Sequence, residues 1–262
     1  MDLHPRRETP YGGQTGPQSS KSHVSISVED LSLTIRLSSK GTAAGITGWR
    51  YEHLKALLSN DCTHQLTCMV SFARKILDAD ILPEVQEILR IGNLFGLAKP
   101  KGGTRPIAVT DVLRRWVTKG IALTYKERWA EALGPLQYAV GTQAGNEKLI
   151  RAVESFLEGI GEDFCLGGLD SANAFNSCDR EWFMSELQQD FPELVPFFDM
   201  WYSGEAELRF FMEDGSVRTI LSSEGTIQGD PAGMFLFLPR SSEVYIKYSA
   251  ASPISFDCSI CR

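Results

Sequence analysis

Leu113, Val117, Ile121, Tyr125, Trp129 and Leu133 recur at every fourth position. That unbroken i, i+4 ladder predicts one long amphipathic helix over 113–133, because residues four apart stack on one helical face. Gly134 and Pro135 stop it. Upstream, Leu66, Met69, Val70, Ala73, Ile76 and Leu77 form a second helical stripe. Leu54, Leu57 and Leu58 line a helix that follows the glycine-punctuated loop 41–48, and Pro83 suits the first turn of a short helix ending near Arg90. Residues 147–157 predict a helix with Leu149, Ile150, Val153 and Phe156 turned inward.

Strand signals are fewer. Residues 93–98 and 105–109 read as two strands around a turn at 100–104, where Gly102 and Gly103 permit a tight tip. Residues 205–212 and 217–221 flank Asp214-Gly215, a strong hairpin signal. Between these hairpins a short apolar strand over 164–169 delivers Asp170 at its end. A turn of small polar residues follows, and a helix restarts behind Asp179 as N-cap, with Trp182, Phe183 and Leu187 on its apolar face. A short helix over 194–203, a polar loop over 222–231 and the start of a buried helix over 232–238 come next. Residues 1–40 are rich in Gly, Ser, Pro and charge, so most of them are expected to form a disordered arm, with a short helix over 28–37.

Composition changes the picture in two places. A chain of 262 residues with 43% apolar content can bury a sizeable core. No apolar run is long enough for a membrane span, the polar first 14 residues lack the apolar core of a secretory signal, and six scattered cysteines make no disulfide framework. An intracellular setting, cytoplasmic or nuclear, and no membrane partner are expected. The spacing Cys258-x-x-Cys261 has no second pair and reads as chance. Net charge is −7, yet residues 90–128 carry nine basic side chains against two acidic ones, so this segment is +7 and the rest −14. Such asymmetry favours a surface meant for phosphate, with Arg114, Arg115 and Lys119 as its nucleic-acid-binding face.

Asp170 at a strand end, beside glycines that let backbone come close, suits a hard cation such as Mg2+. Leu169-Asp170-x-x-x-Ala174-Phe175, with Asn176 and Asp179-Arg180 behind it, resembles the first catalytic motif of reverse transcriptases, most nearly those of non-LTR (LINE-type) retrotransposons. Glu224-Gly-Thr-Ile-Gln-Gly-Asp-Pro-Ala-Gly233 resembles the same family's next motif, and Leu97-Ala-Lys-Pro-Lys-Gly-Gly-Thr-Arg-Pro-Ile107 its phosphate-gripping fingers motif. The loop at 41–48 is similar to an early fingers motif, but Thr47 stands where the family has Asp. That departure weakens a ligand role there and favours packing by Trp49.

The resemblance implies an α+β right-hand polymerase: fingers over 41–163, partial palm with an antiparallel sheet over 164–238, and a divergent tail over 239–262. It implies RNA-directed DNA synthesis from deoxynucleotides, with an RNA template and a DNA primer as partners. Asp170 and the backbone carbonyl of Ser171 would hold Mg2+ (or Mn2+). Lys99 or Lys101, with Arg105, would meet the nucleotide's phosphates. Phe175 would be the steric gate against a 2′-hydroxyl, and Gln228 and Gly229 would touch sugar, base and template. The Asp170 strand is expected to pair with the 205–221 hairpin.

The family's second carboxylate station, Tyr-x-Asp-Asp, is missing, and the chain contains no Asp-Asp pair. Nucleotidyl transfer uses two divalent cations about 3.5–4 Å apart, and one carboxylate cannot hold both against their hydration. The expectation is a domain truncated before its catalytic centre is complete, inactive as this chain. Two other classes fit: a nucleic-acid-binding module without chemistry, and a product of a decayed or mispredicted element with no function.

Overall fold

Two hairpins far apart in the sequence share one sheet. The computed structural model describes residues 6–13, 24–59, 62–100, 102–134, 137–159 and 173–237. In chain order its elements are α1 (Val28–Leu37), α2 (Tyr51–Ala56), α3 (Thr63–Leu77), α4 (Pro83–Arg90), β1 (Gly92–Ala98), β2 (Thr104–Val109), α5 (Val112–Thr124), α6 (Lys126–Ala132), α7 (Gly145–Gly159), α8 (Arg180–Asp190), α9 (Val195–Tyr202), β3 (Ala206–Phe211) and β4 (Val217–Ser222). The strand order is β2-β1-β3-β4. Both hairpins are antiparallel, from Asn93↔Val109 to Ala98↔Thr104 and from Ala206↔Ser222 to Phe211↔Val217.

The joint between the hairpins is parallel and short, pairing Gly92 with Leu208 and Asn93 with Arg209. Gly92 makes it possible: a Cβ there would meet Leu208 Cδ2 at 2.9 Å. Arg90 secures the same corner by donating to the carbonyls of Ser203 and Glu205. The sheet is therefore mixed, not the antiparallel palm sheet expected. The 205–221 hairpin forms, but its described neighbour is β1; the Asp170 strand lies outside the described residues.

Helices supply the core. Asp111 caps α5, its carboxylate accepting from the Leu113 amide at 2.9 Å. The long ladder helix is bent rather than straight: Tyr125 (φ −94°, ψ 3°) separates α5 from α6. The ladder survives the bend, because Tyr125 donates to Ile121 and Trp129 to Tyr125, each at 2.9 Å. Val117, Ile121, Tyr125, Trp129 and Leu133 are all buried.

The stretch expected to be a polar arm contributes to this core. Ser27 caps α1 by accepting from the Asp30 amide, Leu31 and Ile35 are fully buried, and the Trp116 indole donates to the Leu31 carbonyl at 2.8 Å. Earlier still, buried Tyr11 donates its hydroxyl to Asp199 at 2.9 Å, and its carbonyl accepts from Gly204. Burial of Val24, Ile26, Leu31 and Ile35 outweighs a Gly, Ser and Pro average taken over forty residues.

Two other expectations fail. Leu149, Ile150 and Phe156 on α7 stand 45–57% exposed instead of facing inward, and Val153 is only half-buried. Trp49 does not pack in the core; it is 41% exposed, with its ring edge-on to His53 at 5.9 Å. Among the described residues no helix is long and apolar enough to cross a membrane.

Membership of α1 in the core is testable. Leu31→Ala should cost about 3 kcal/mol, the typical loss for a buried leucine, and Leu33→Ala under about 1 kcal/mol because Leu33 is 41% exposed. Urea unfolding midpoints at constant slope give both values, and equal small losses would return α1 to an arm.

Candidate functional site

Three stretches singled out in the sequence are laced together by backbone. The turn at 173–178 starts from Asn173 in the left-handed region (φ 55°), whose side chain accepts from the Asn176 amide group at 3.0 Å. The Phe175 carbonyl accepts from the Thr226 amide at 2.7 Å, and the Cys178 carbonyl from Gly225 at 2.8 Å. Gly225 (φ +68°) is required at this crossing, since a Cβ would come within 2.2 Å of the Asn176 carbonyl carbon. Three residues on, the Gln228 carbonyl accepts from the Ala108 amide of β2 at 3.0 Å. A Cβ on Gly229 would meet the Ala108 oxygen at 2.7 Å.

The Gln228-Gly229 step thus lies along β2, and the same strand carries Arg105 toward the hairpin tip. Lys99 and Arg105 are exposed at that tip. The Lys99 amide closes the turn onto the Gly103 carbonyl at 3.0 Å. Phe175 is half-buried; its ring lies 5.5 Å from that of Phe237, on the helical turn over 233–237. Lys101, Asp170 and Ser171 lie outside the described residues. Among the described residues no three His, Cys, Asp or Glu side chains gather to hold a metal.

Behind the loop sits a buried ionic centre. Arg114 and Asp230 pair at 2.8 Å with side chains 0% and 2% exposed. The Tyr202 hydroxyl donates to the same carboxylate at 2.8 Å, and the other oxygen accepts from the Ala232 amide at 3.0 Å. The Arg114 guanidinium lies 4.9 Å from the Trp201 ring centroid and 5.4 Å from that of Tyr202. Burial, and then the Asp230 charge, push the Tyr202 hydroxyl far above its ordinary value.

This overturns the basic face read from the charge count. Arg114 is wholly internal, and Arg115, 9% exposed, donates to the Ala43 carbonyl at 2.8 Å. Burial lowers the Arg115 guanidinium below its usual value. Of the three residues assigned to nucleic acid, Lys119 alone keeps access to the surface, half-buried and donating to the Ser38 hydroxyl at 3.1 Å. The reason is that α5 is covered nearly all round, so its polar side has no solvent to face. Thr47 also gains a partner: its hydroxyl and amide both donate to the Asp111 carboxylate.

Arg180 was missed. It opens α8 yet is 1% exposed, donating to the carbonyls of Gly225 (3.0 Å), Tyr202 (3.0 Å), Gly204 (2.8 Å), Ser222 (3.3 Å) and Glu224 (3.3 Å), and to the Ser222 hydroxyl at 3.2 Å. Burial lowers its pKa to about 10, against the opposing pull of Tyr202. A sequence signal existed: a cation in the first turn of a helix opposes the macrodipole, and this one has a partner elsewhere.

Comparison with known proteins adds one relative. No family model matches the chain. Over 222 residues it is 27% identical to the retrotransposable element SLACS 132 kDa protein of Trypanosoma brucei gambiense, an alignment covering 82% of this chain. That likeness supports a retrotransposon-related origin. The chain spans 18% of the SLACS protein's length.

The ionic centre predicts a large, specific stability loss. Asp230→Ala should cost about 3–5 kcal/mol because Arg114 is left buried without a counter-charge. Tyr202→Phe, which removes one hydrogen bond to a charged group, should cost about 1.5–3 kcal/mol. Urea unfolding measures both, and an Asp230→Ala loss under about 1 kcal/mol would mean the pair is not closed in solution.

Proposed function

We propose that the chain carries part of a reverse transcriptase domain, an RNA-directed DNA polymerase, from a retrotransposon-derived protein. The observation that carries this reading is the lacing of Phe175 to Thr226 and of Gln228 to Ala108, which draws three motif-bearing stretches into one place. Arg105 and Lys99, with Lys101, face the triphosphate of a deoxynucleotide; Arg holds phosphate oxygens in a fork and Lys acts as a point charge. The half-buried Phe175 ring crowds the sugar where a 2′-hydroxyl would sit. Gln228 and Gly229 approach sugar and base, with an RNA template and DNA primer completing the substrate. Asp170 and the Ser171 carbonyl belong to the divalent-ion side of the site, where Mg2+ or Mn2+ would supply charge stabilisation for the transferred phosphoryl group.

Because the 262 residues contain no Asp-Asp pair, they bind without completing the chemistry. Purified chain should give no primer extension on an RNA template with Mg2+ and all four deoxynucleotides. Extension that is lost on Asp170→Ala would show that a carboxylate outside any Asp-Asp pair completes the site.

Binding is a separate readout. The chain should take up a fluorescent deoxyadenosine triphosphate analogue, and Arg105→Ala should weaken uptake by about 10–100-fold, the range for losing hydrogen bonds to a charged group. Phe175→Val should narrow the preference for the deoxy- over the ribonucleotide analogue. Equal uptake by Arg105→Ala and the unmodified chain would refute the nucleotide assignment.

A further inference from the structure

Residues 6–13 form a strap with neither helix nor strand, held down by polar contacts near both ends. Arg6 pairs with Glu205 at 3.1 Å, and Arg7 reaches Glu181 at 3.3 Å and Asp179 at 3.6 Å. The Arg7 amide donates to the Ser223 hydroxyl at 2.9 Å. Further along, Tyr11 donates its hydroxyl to Asp199, and its carbonyl accepts from the Gly204 amide. Gly204 and Ser223 lie among the acceptors of Arg180, which donates to the carbonyls of Gly204, Ser222 and Glu224. The strap therefore grips the same turn and loop that the buried Arg180 grips.

Thr9 stands between the strap's two fastened ends, exposed, at a bend, and followed by Pro10. Proline biases the residue before it toward extended backbone, the form in which a kinase cleft takes its substrate. We propose that Thr9 is a phosphorylation site for a proline-directed protein kinase, and that its phosphate releases the strap. In the transfer, the γ-phosphorus of ATP bonds to Thr9 Oγ1 and its bond to the bridging oxygen breaks. ADP leaves, and the hydroxyl proton passes to the kinase's base. A phosphothreonine carries about −1.5 to −2 charge at pH 7. It offers Arg6 and Arg7 a stronger partner within their own segment, and Asp179, Glu181, Asp199 and Glu205 repel it. Both effects oppose docking. The strap's ion pairs are partly exposed, so each contributes little alone, and one modification is enough to undo them. Release then removes the outer support of the 222–225 run that crosses the Phe175 turn.

The test incubates full-length chain with a proline-directed kinase, ATP and Mg2+, then reads peptide mass spectra and amide hydrogen exchange. Phosphate is expected on Thr9, and the Gly204 amide should then exchange about tenfold faster, a usual size for coupling between sites. Exchange in the β1–β2 hairpin should not change. Thr9→Ala, an exposed substitution, should abolish both the modification and the faster exchange. Glu181→Gln/Glu205→Gln, which loosens the strap without a phosphate, should raise the rate of Thr9 phosphorylation, because the undocked strap is the kinase's substrate. A synthetic peptide of residues 1–13 shows whether the kinase reads the segment itself. No phosphate on the peptide, or phosphate on the peptide but not on the chain, would overturn the site. Phosphorylated chain whose Gly204 exchange is unchanged would overturn the release. Neither result bears on the nucleotide assignment, whose readout is analogue uptake.

Discussion

The pairing of Arg114 with Asp230 is the constraint on which the other contacts hang. Arg114 comes from α5, Asp230 from the loop that touches β2, and Tyr202 from the end of α9, so one carboxylate ties a helix, a loop and a second helix at one point. Desolvating both charges costs several kcal/mol per ion, and their attraction returns that only with good geometry and further hydrogen bonds. Asp230 meets the second condition by accepting from Arg114, Tyr202 and the Ala232 amide, whereas Arg114 makes no hydrogen bond through Nε and Nη1 among the described residues and rests its guanidinium against the Trp201 and Tyr202 rings. The pair does not have to be a large net source of stability. Its effect is positional, because moving any of the three elements away would leave a charged group without its partner and without access to water.

Arg180 plays a related part, with no ion-paired carboxylate among the described residues. Five carbonyls and a hydroxyl surround its guanidinium, which uses Arg's planar set of donors where Lys would have too few and too short a reach. These carbonyls come from the end of α9, the end of β4 and the loop beyond it. Arg180 therefore gathers the strand end and the loop start that Asp230 then fixes to α5. The Phe175 turn, the Gln228-Gly229 step and β2 are held from behind by two buried arginines rather than by apolar packing alone.

Much of this was legible in the amino-acid order. The hairpin at 93–109, the Asp214-Gly215 hairpin, the Asp179 cap and the helix at 28–37 follow from local rules, and local rules were sufficient for them. The ladder through Tyr125 was also correct in its face, if not in its straightness. What was not legible required tertiary knowledge. Arg114 and Arg115 look like a solvated face until other elements wrap α5, and the α7 stripe looks like core although the described neighbours leave it uncovered. The Gln-Gly-Asp-Pro loop was placed by motif, yet nothing local distinguishes Gln228, which lies along β2, from Asp230, which turns inward to Arg114. The parallel joint between the hairpins depends on Gly92 meeting Leu208, and neither residue alone signals it.

That joint also bears on how the chain acquires its shape. Each hairpin closes a loop of a few residues, and such events take microseconds. Gly92 and Leu208 are more than a hundred residues apart, so bringing them together carries the loop-closure entropy of that long segment, with two residue pairs of ladder as the immediate return. The hairpins are thus early and independent, while the sheet that unites them is late and cooperative with the burial of Arg114 and Arg180. This topology predicts two local units and one long-range docking step, with the exposed edges of the unjoined hairpins the places where a folding chain is most open to pairing with its neighbours.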